Sequence, residues 1–520
     1  MTRERFIAYN NPMNGRVACL LSFWPIVVAV WLAIFFLFRV TALTQYPPGL
    51  FVDESSIGLN ASTILTTGAD EHGVSYPLYF KAFGDYKNGL FVYSVVPLFK
   101  LFGTSIESLR LASALWGLAT VGIFAVWVKS QKPRKALFLL CVGILLSNPW
   151  LLQLSRVAFE VASYPFFLML AVFAYWKLVH RNVKLEDRHW SGYLWYVLFS
   201  GALLGVFYAY TSGRMLAPLL LLVGFGLQFG KSKLSHLCIG LALFGIGILP
   251  AIGWEYANQG ALLARYSVVG LSRYTTSTQE FVTTAVRQYA QHFSPAFLLE
   301  KGDGNLRHSS SGLFLMATIP LILVGLVSTF KNSAQRFYLW VLSGLLLSPI
   351  PSALTIQSPH TLRSSSLVVF ALLFAIKGVQ ELVRGRIGRI LLTLCSVGIV
   401  LQSIAWLSSY TTMYVRSAEV WFDDGTVQAL NYAINQSSRI YVSEKLYPGT
   451  YATVKFLTAI RAQKTSATPT ITMFNPDREF PIETGLLVLD YQTCQLIPEE
   501  LLEQFTTVYQ NYSACVLQKN

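Results

Sequence analysis

The chain has 520 residues, of which 53% are hydrophobic and only 13% charged, with mean hydropathy +0.48. A soluble domain carries about 25% charged residues, so composition excludes an ordinary soluble protein and points to a polytopic, all-α membrane protein. The formal charge of +14 follows from basic residues clustered between apolar runs, the positive-inside pattern, and needs no nucleic-acid partner.

The first apolar run covers 17–40. Arg3, Arg5 and Arg16 precede it and no small-residue cleavage site follows, so it reads as an anchor with its amino end in the cytoplasm. Residues 89–103 are apolar but short, and they contain Pro97 and Lys100. If they crossed the bilayer, Lys129-Lys132-Arg134-Lys135 and every later basic cluster would fall outside. They are therefore expected to lie in the outer interface, and 41–107 becomes one long external loop.

Further spans are expected at about 108–128, 136–150, 160–179, 192–210, 215–230, 234–253, 312–330, 337–354, 364–381 and 390–410, roughly eleven in all. This topology leaves a second external loop at 254–311. It also places basic clusters at Lys177-Arg181-Lys184-Arg188, Lys231/Lys233, Lys331/Arg336 and Lys377-Arg384-Arg386-Arg389 in the cytoplasm. After 410 charge returns. A helical run at 425–436 and β-rich runs at 439–442, 470–474 and 486–489 predict a small extracytoplasmic α/β domain over 411–520. Cys494 and Cys515 both fall in it, where a disulfide and two free thiols are equally compatible with the sequence. No internal repeat is visible.

The first external loop carries the unusual chemistry. After Tyr46-Pro47-Pro48-Gly49 come Asp53-Glu54, then Asp70-Glu71-His72-Gly73, then Asp85-Tyr86-Lys87. Ionisable groups beside a bilayer are costly and are usually kept for function. Asp53 also suits the N-cap of a helix running to about Thr67 and ended by Gly68. Lys87 either snorkels to the interface or holds a phosphate as a point charge. His72 is either a packed loop residue or a ligand contact, and Asp85 has no assigned task.

Three lone arginines at outer helix ends break the charge pattern: Arg156, Arg214 and Arg363, the last following His360-Thr361-Leu362. Their donor forks match phosphate oxygens. Glu160, four residues after Arg156, either neutralises it on a shared helix face or supplies a second acid. In the second loop, Lys301-Gly302-Asp303-Gly304-Asn305-Leu306-Arg307-His308 is both a turn signal and a possible source of acid, base and anion-binding groups through Asp303, Arg307 and His308.

Together these residues resemble the GT-C membrane glycosyltransferases, in particular the bacterial branch of the protein O-mannosyltransferase and lipid A aminoarabinose transferase superfamily. The resemblance rests on Tyr-Pro-Pro-Gly-Leu before Asp53-Glu54, on Leu101-Phe102-Gly103 with Arg110 and Trp116-Gly117, on Tyr-Thr-Ser-Gly-Arg ending at Arg214, and on the Gly-Asp-Gly-Asn-Leu-Arg-His stretch. It covers roughly 18–410. It implies an inverting transfer of a sugar from a polyprenyl-phosphate carrier to an acceptor hydroxyl on protein, lipid or glycan at the outer membrane face. It also implies Asp53 as base or acceptor-positioning acid, Glu54 and Glu160 as further acids, and Lys87 as a contact to the carrier phosphate. The chain departs from the aminoarabinose transferases at Tyr86-Lys87-Asn88, where they carry Glu-Lys-Pro, and in having Glu rather than Asp at 160. A magnesium or manganese ion held by Asp53 and Glu160 is compatible with these oxygen ligands. Two other classes share the helices: a transporter of lipid-linked sugars, which would want broken helices at the midplane, and a non-catalytic scaffold, which would leave the acidic loop without a purpose.

Overall fold

The computed structural model describes residues 15–180, 191–331, 336–447, 449–465, 468–478, 480, 484–497 and 503–519. Arg3, Arg5, Arg181, Lys184 and Arg188 lie outside them.

Each apolar run contains a helix, although those expected at 312–330 and 337–354 are helical over only part of their length. The helices are Gly15–Val40, Ile106–Ser130, Lys135–Leu146, Tyr164–His180, Ser191–Ala209, Thr211–Gln228, Leu234–Ala257, Ile319–Lys331, Arg336–Leu347, Ser366–Leu382 and Arg386–Ser409. Among the described residues, 4 helical stretches are long and apolar enough to cross a membrane: Ile106–Ser130, Glu160–His180, Leu234–Ala257 and Arg386–Trp421. The run expected at 136–150 is interrupted. Its helix stops at Leu146, and Asn148 caps a new short one, accepting the Leu151 N–H at 3.0 Å. The 12 residues of Lys135–Leu146 rise only about 18 Å, short of a 30 Å hydrocarbon core.

By contacts the chain divides into two compact units. The first comprises residues 1–41, 114–155 and 160–408 and holds most of the apolar helices. Its tightest pair is Ile319–Lys331 against Ser366–Leu382. A Cβ on Gly325 would lie 1.9 Å from the Phe374 carbonyl oxygen, and one on Gly378 would lie 2.0 Å from that of Leu321, so only glycine permits this approach. Lys377 is buried, with its ammonium 3.6 Å from the centroid of the Tyr338 ring.

The second unit combines 42–113, 156–159 and 409–520. Its sheet has order β4-β3-β5-β7-β6, with β3 Arg439–Ser443, β4 Thr470–Phe474, β5 Leu486–Asp490, β6 Phe505–Gln510 and β7 Ala514–Lys519. β3 runs parallel to β4 and β5, and β7 is antiparallel to β5 and β6. Tyr441, Phe474, Leu487, Leu489, Phe505 and Leu517 form one buried apolar cluster on this sheet. Cys494 and Cys515 are joined by a disulfide, which resolves the alternative left open by their position.

The segment expected to be the first external loop belongs to this same unit. Helix Val52–Thr67 lies against helix Thr450–Ala462: Ser55 and Thr453 hydroxyls meet at 2.8 Å, and a Cβ on Gly58 would come within 2.5 Å of the Phe456 ring. The short helix Gly89–Phe102 packs there too, with Phe99 stacked on Phe456 at 6.1 Å between ring centroids.

Candidate functional site

Helix Val52–Thr67 begins two residues earlier than an N-cap at Asp53 would place it. Phe51, not Asp53, is the N-cap, and Asp53 and Glu54 occupy the first turn, where carboxylates favour the helix dipole. Gly68 ends the helix in the left-handed region, as expected.

The two neighbouring acids have opposite environments. Glu54 is fully buried. Its Oε1 accepts from Arg110 Nε (2.9 Å) and the Ala158 N–H (2.9 Å), and its Oε2 accepts from Arg110 Nη2 (2.8 Å) and the Phe51 N–H (3.2 Å). Arg110, equally buried, also donates to the carbonyls of Leu43, Pro47 and Gly49 at 2.9, 2.6 and 2.9 Å. This bidentate pair therefore fastens the Pro-Pro-Gly turn to the helix start. Gly49 is required in that turn: its φ is +67°, and a Cβ would lie 2.3 Å from the Phe422 carbonyl oxygen. Glu54, read from the sequence as a further acid, is thus taken up by hydrogen bonds within the protein.

Asp53 is 38% exposed at its side chain. Its Oδ1 meets Lys87 Nζ at 2.7 Å, and Lys87 is itself only 13% exposed. Lys87 arrives on a hairpin of β1 Tyr79–Ala82 and β2 Asp85–Asn88, turned by Phe83 and Gly84, both at positive φ. The structure thereby unites two of the sequence candidates, 34 residues apart, in one ion pair.

The remaining first-loop candidates are engaged locally. Asp70 accepts the N–H groups of His72 and Val74, forming a turn. His72 is exposed, and its Nε2 lies 3.1 Å from the Lys81 carbonyl oxygen. The Asp85 carboxylate accepts the Tyr86 N–H. Arg156 is fully buried and donates to the carbonyls of Tyr46 and Ala42 at 2.5 and 2.6 Å. Burial lowers its pKa to about 10, which still leaves it charged at neutral pH. Arg156 and Arg110 therefore grip the same segment.

In the first unit, Glu160 opens a 3-10 turn, Glu160–Ser163. The non-helical stretch before it means that Arg156 and Glu160 do not share a helix face. Arg214 sits in the first turn of Thr211–Gln228, with Nη1 donating to the Leu262 carbonyl at 2.7 Å. Arg363 is buried, with Nη1 donating to Thr355 Oγ1 at 2.9 Å.

The second loop builds a separate cluster. Gly302, at φ +60°, turns the chain so that Asp303 faces His308; a Cβ there would lie 2.4 Å from Ser309 Oγ. Asp303 Oδ1 accepts the Asn305 N–H, and Asn305 Oδ1 accepts that of Arg307. Asp303 Oδ2 accepts the Thr361 N–H (2.9 Å) and lies 2.7 Å from His308 Nδ1 and 3.8 Å from His360 Nδ1. Burial alone would raise the Asp303 carboxyl, but the hydrogen bond and charge of His308 outweigh it and hold it well below the usual carboxylate range. Burial, with the charges of His308 and Arg363, holds His360 well below its ordinary value. A cavity of about 550 Å³ adjoins the cluster, lined among others by Gln291, Lys301, Asp303, His308, Gln357 and His360. His360 was visible in the sequence only as part of a polar break, and Arg110 only as part of a resemblance. Neither had a spacing signal to join it to its partner.

No protein-family model and no curated protein matches the chain by sequence. Solved structures do. ArnT from Cupriavidus metallidurans in the apo state superposes with TM-score 0.57 at 12% identity, covering 96% of this chain and 98% of that one. The same protein bound to undecaprenyl phosphate gives 0.51 at 14% identity, covering 95% and 97%. The chain shares its fold with ArnT. The archaeal oligosaccharyltransferase AglB from Archaeoglobus fulgidus also matches, with TM-score 0.46 and 13% identity over 89% of this chain and 62% of that one. ArnT is an aminoarabinose transferase, so the likeness agrees in fold with the resemblance drawn from the loop motifs, and it spans nearly the whole of both chains.

Proposed function

We propose that this chain is a multi-pass membrane glycosyltransferase that moves a sugar from a polyprenyl-phosphate carrier to an acceptor hydroxyl at the outer membrane face, inverting the anomeric centre. Its fold is that of ArnT, which has been solved with undecaprenyl phosphate. The observation that carries the reading is the Asp53–Lys87 pair, one partly exposed acid and one lysine at 2.7 Å, on a helix start that Glu54 and Arg110 hold rigid.

The pair is the resting state. When the carrier arrives, its phosphate draws the Lys87 ammonium, and Asp53 is released to accept the proton of the acceptor hydroxyl. The acceptor oxygen bonds to the sugar as the sugar–phosphate bond breaks, and the polyprenyl phosphate leaves with its charge balanced by Lys87. Glu160, Arg214, Arg363 and Arg307 are proposed to contribute acid and anion-binding groups; Glu54 and Arg156 serve as anchors. His72 and Asp85 take no part in the chemical step. In the resting pair the Lys87 ammonium is bonded to Asp53 Oδ1, so a magnesium or manganese ion on that oxygen would have to displace it. No step is assigned to such an ion. The Cys494–Cys515 disulfide supports an extracytoplasmic carboxyl-terminal domain, since disulfides persist in oxidising compartments.

The test is turnover. The purified protein is incubated with a panel of polyprenyl-phosphate sugars, and release of the bare carrier is followed by mass spectrometry. Asp53→Asn is expected to cut turnover by about 100-fold or more while leaving the unfolding temperature unchanged. Lys87→Met should weaken carrier binding as well as turnover. Full turnover by Asp53→Asn, or no consumption of any carrier by the wild type, overturns the reading.

A further inference from the structure

Among the described residues, Asp303, His308 and His360 form a group able to hold a metal, each offering one ligand atom within 4.8 Å of the others. We infer that these three side chains bind one divalent transition metal of zinc type, leaving a coordination position open to the adjoining 550 Å³ cavity. The inference holds whatever reaction Asp53 performs.

Ligand chemistry selects the metal class. Two imidazoles and one carboxylate suit zinc and its neighbours, whereas magnesium and calcium prefer oxygen alone. The geometry is close to what binding needs. Zinc held at about 2.0–2.1 Å by tetrahedral ligands places those ligands about 3.3 Å apart. Asp303 Oδ2 lies 2.7 Å from His308 Nδ1 and 3.8 Å from His360 Nδ1, on either side of that spacing. Small side-chain rotations close the difference. The weak contact from the Arg363 N–H to His360 Nδ1, at 3.4 Å, is the one that a metal on that nitrogen would replace.

The cluster is also built rather than incidental. Asp303 is oriented by the Thr361 N–H at one oxygen and the Asn305 N–H at the other, the kind of outer support that fixes a metal ligand. Gly302 holds a positive φ of +60° immediately before Asp303, a conformation that L side chains rarely adopt. The imidazoles of His308 and His360 face each other at 4.8 Å between centroids and 33° between planes. A turn needs one Asp–His hydrogen bond; it does not need a second buried imidazole beside the first. With three protein ligands and a polar cavity alongside, the arrangement matches an open site rather than a closed structural one.

The full-length protein in detergent, stripped with a chelator, is titrated with zinc and then desalted, and its metal content is measured. The wild type and His72→Ala should retain one zinc per chain. His308→Ala and His360→Ala should each weaken binding by about 10-fold or more. Cobalt loading of the wild type should give the visible absorption of a tetrahedral site, and zinc should raise the unfolding temperature of the wild type but not of the two variants. If the alanine variants do not fold, His308→Gln and His360→Gln serve in their place. The proposal is overturned if the wild type shows no saturable zinc binding, if magnesium competes at equal concentration, or if folded variants retain zinc as the wild type does.

Discussion

The segments 42–113 and 254–311 handle charge differently. In 42–113 the strongest charges are buried and saturated: Glu54 by Arg110, with Arg110 also reaching the carbonyls of Leu43, Pro47 and Gly49. One acid and base beside them, Asp53 and Lys87, pair with each other and stay partly exposed. In 254–311 and its neighbour 355–363, Lys301, Asp303, His308 and His360 instead line a cavity, and loop turns orient Asp303 among them. Adjacent residues such as Asp53 and Glu54 can thus belong to different machinery. Burial, rather than residue type, separates the acid that holds the loop from the acid left partly exposed.

The largest effect should come from breaking the buried bolt. Arg110→Ala leaves the Glu54 carboxylate buried without its partner, at a cost of about 3–5 kcal/mol, and should abolish recovery of monodisperse protein or sharply lower its unfolding temperature. Next is the disulfide, which belongs to the same unit as the first loop. Its loop spans a separation of 21 residues, so Cys494→Ser with Cys515→Ser should destabilise that unit by about 3 kcal/mol, read as a lower unfolding temperature that reductant no longer shifts.

The second loop should respond to acid. His292 is fully buried beside Phe297, and burial lowers its pKa from 6.5 to about 4. The folded value lies below the unfolded one, so its contribution is present above pH 6.5 and is lost as pH falls toward 4, about 3 kcal/mol over that window. Thermal unfolding from pH 7 to 4 should show this loss, and His292→Leu should flatten the slope. The smallest effect is expected at His72, an exposed turn residue; His72→Ala should change stability by less than about 0.5 kcal/mol and leave turnover intact. If His72→Ala proved as damaging as Arg110→Ala, the division between bolted and open charges would fail.

The helices were legible because hydropathy is a local property: each apolar run, from 17–40 to 390–410, contains a helix. The broken run at 136–150 shows the limit, since Asn148 capping a new turn leaves no trace in an average over apolar residues. Asp53 and Lys87 stood out as charges beside a bilayer, but their pairing depends on a hairpin turned by Phe83 and Gly84. The task of Glu54 was hidden because its partner Arg110 is 56 residues away on another helix. His360 was hidden likewise, since Thr361, its neighbour, meets Asp303 across 58 residues. Periodicity reports what a segment buries; it does not report which distant side chain arrives to neutralise it.

The joining of 42–113 with 409–520 in one unit bears on how the protein is made. During synthesis the acidic loop emerges near the start, but the helix on which Val52–Thr67 rests, Thr450–Ala462, comes from near the end. Until then Gly58 and Phe99 face no Phe456, and Ser55 has no Thr453. A chain halted at residue 408 would contain each apolar helix yet hold Asp53 on an unsupported arm, so the maturation of the first loop waits for the last hundred or so residues to be translated.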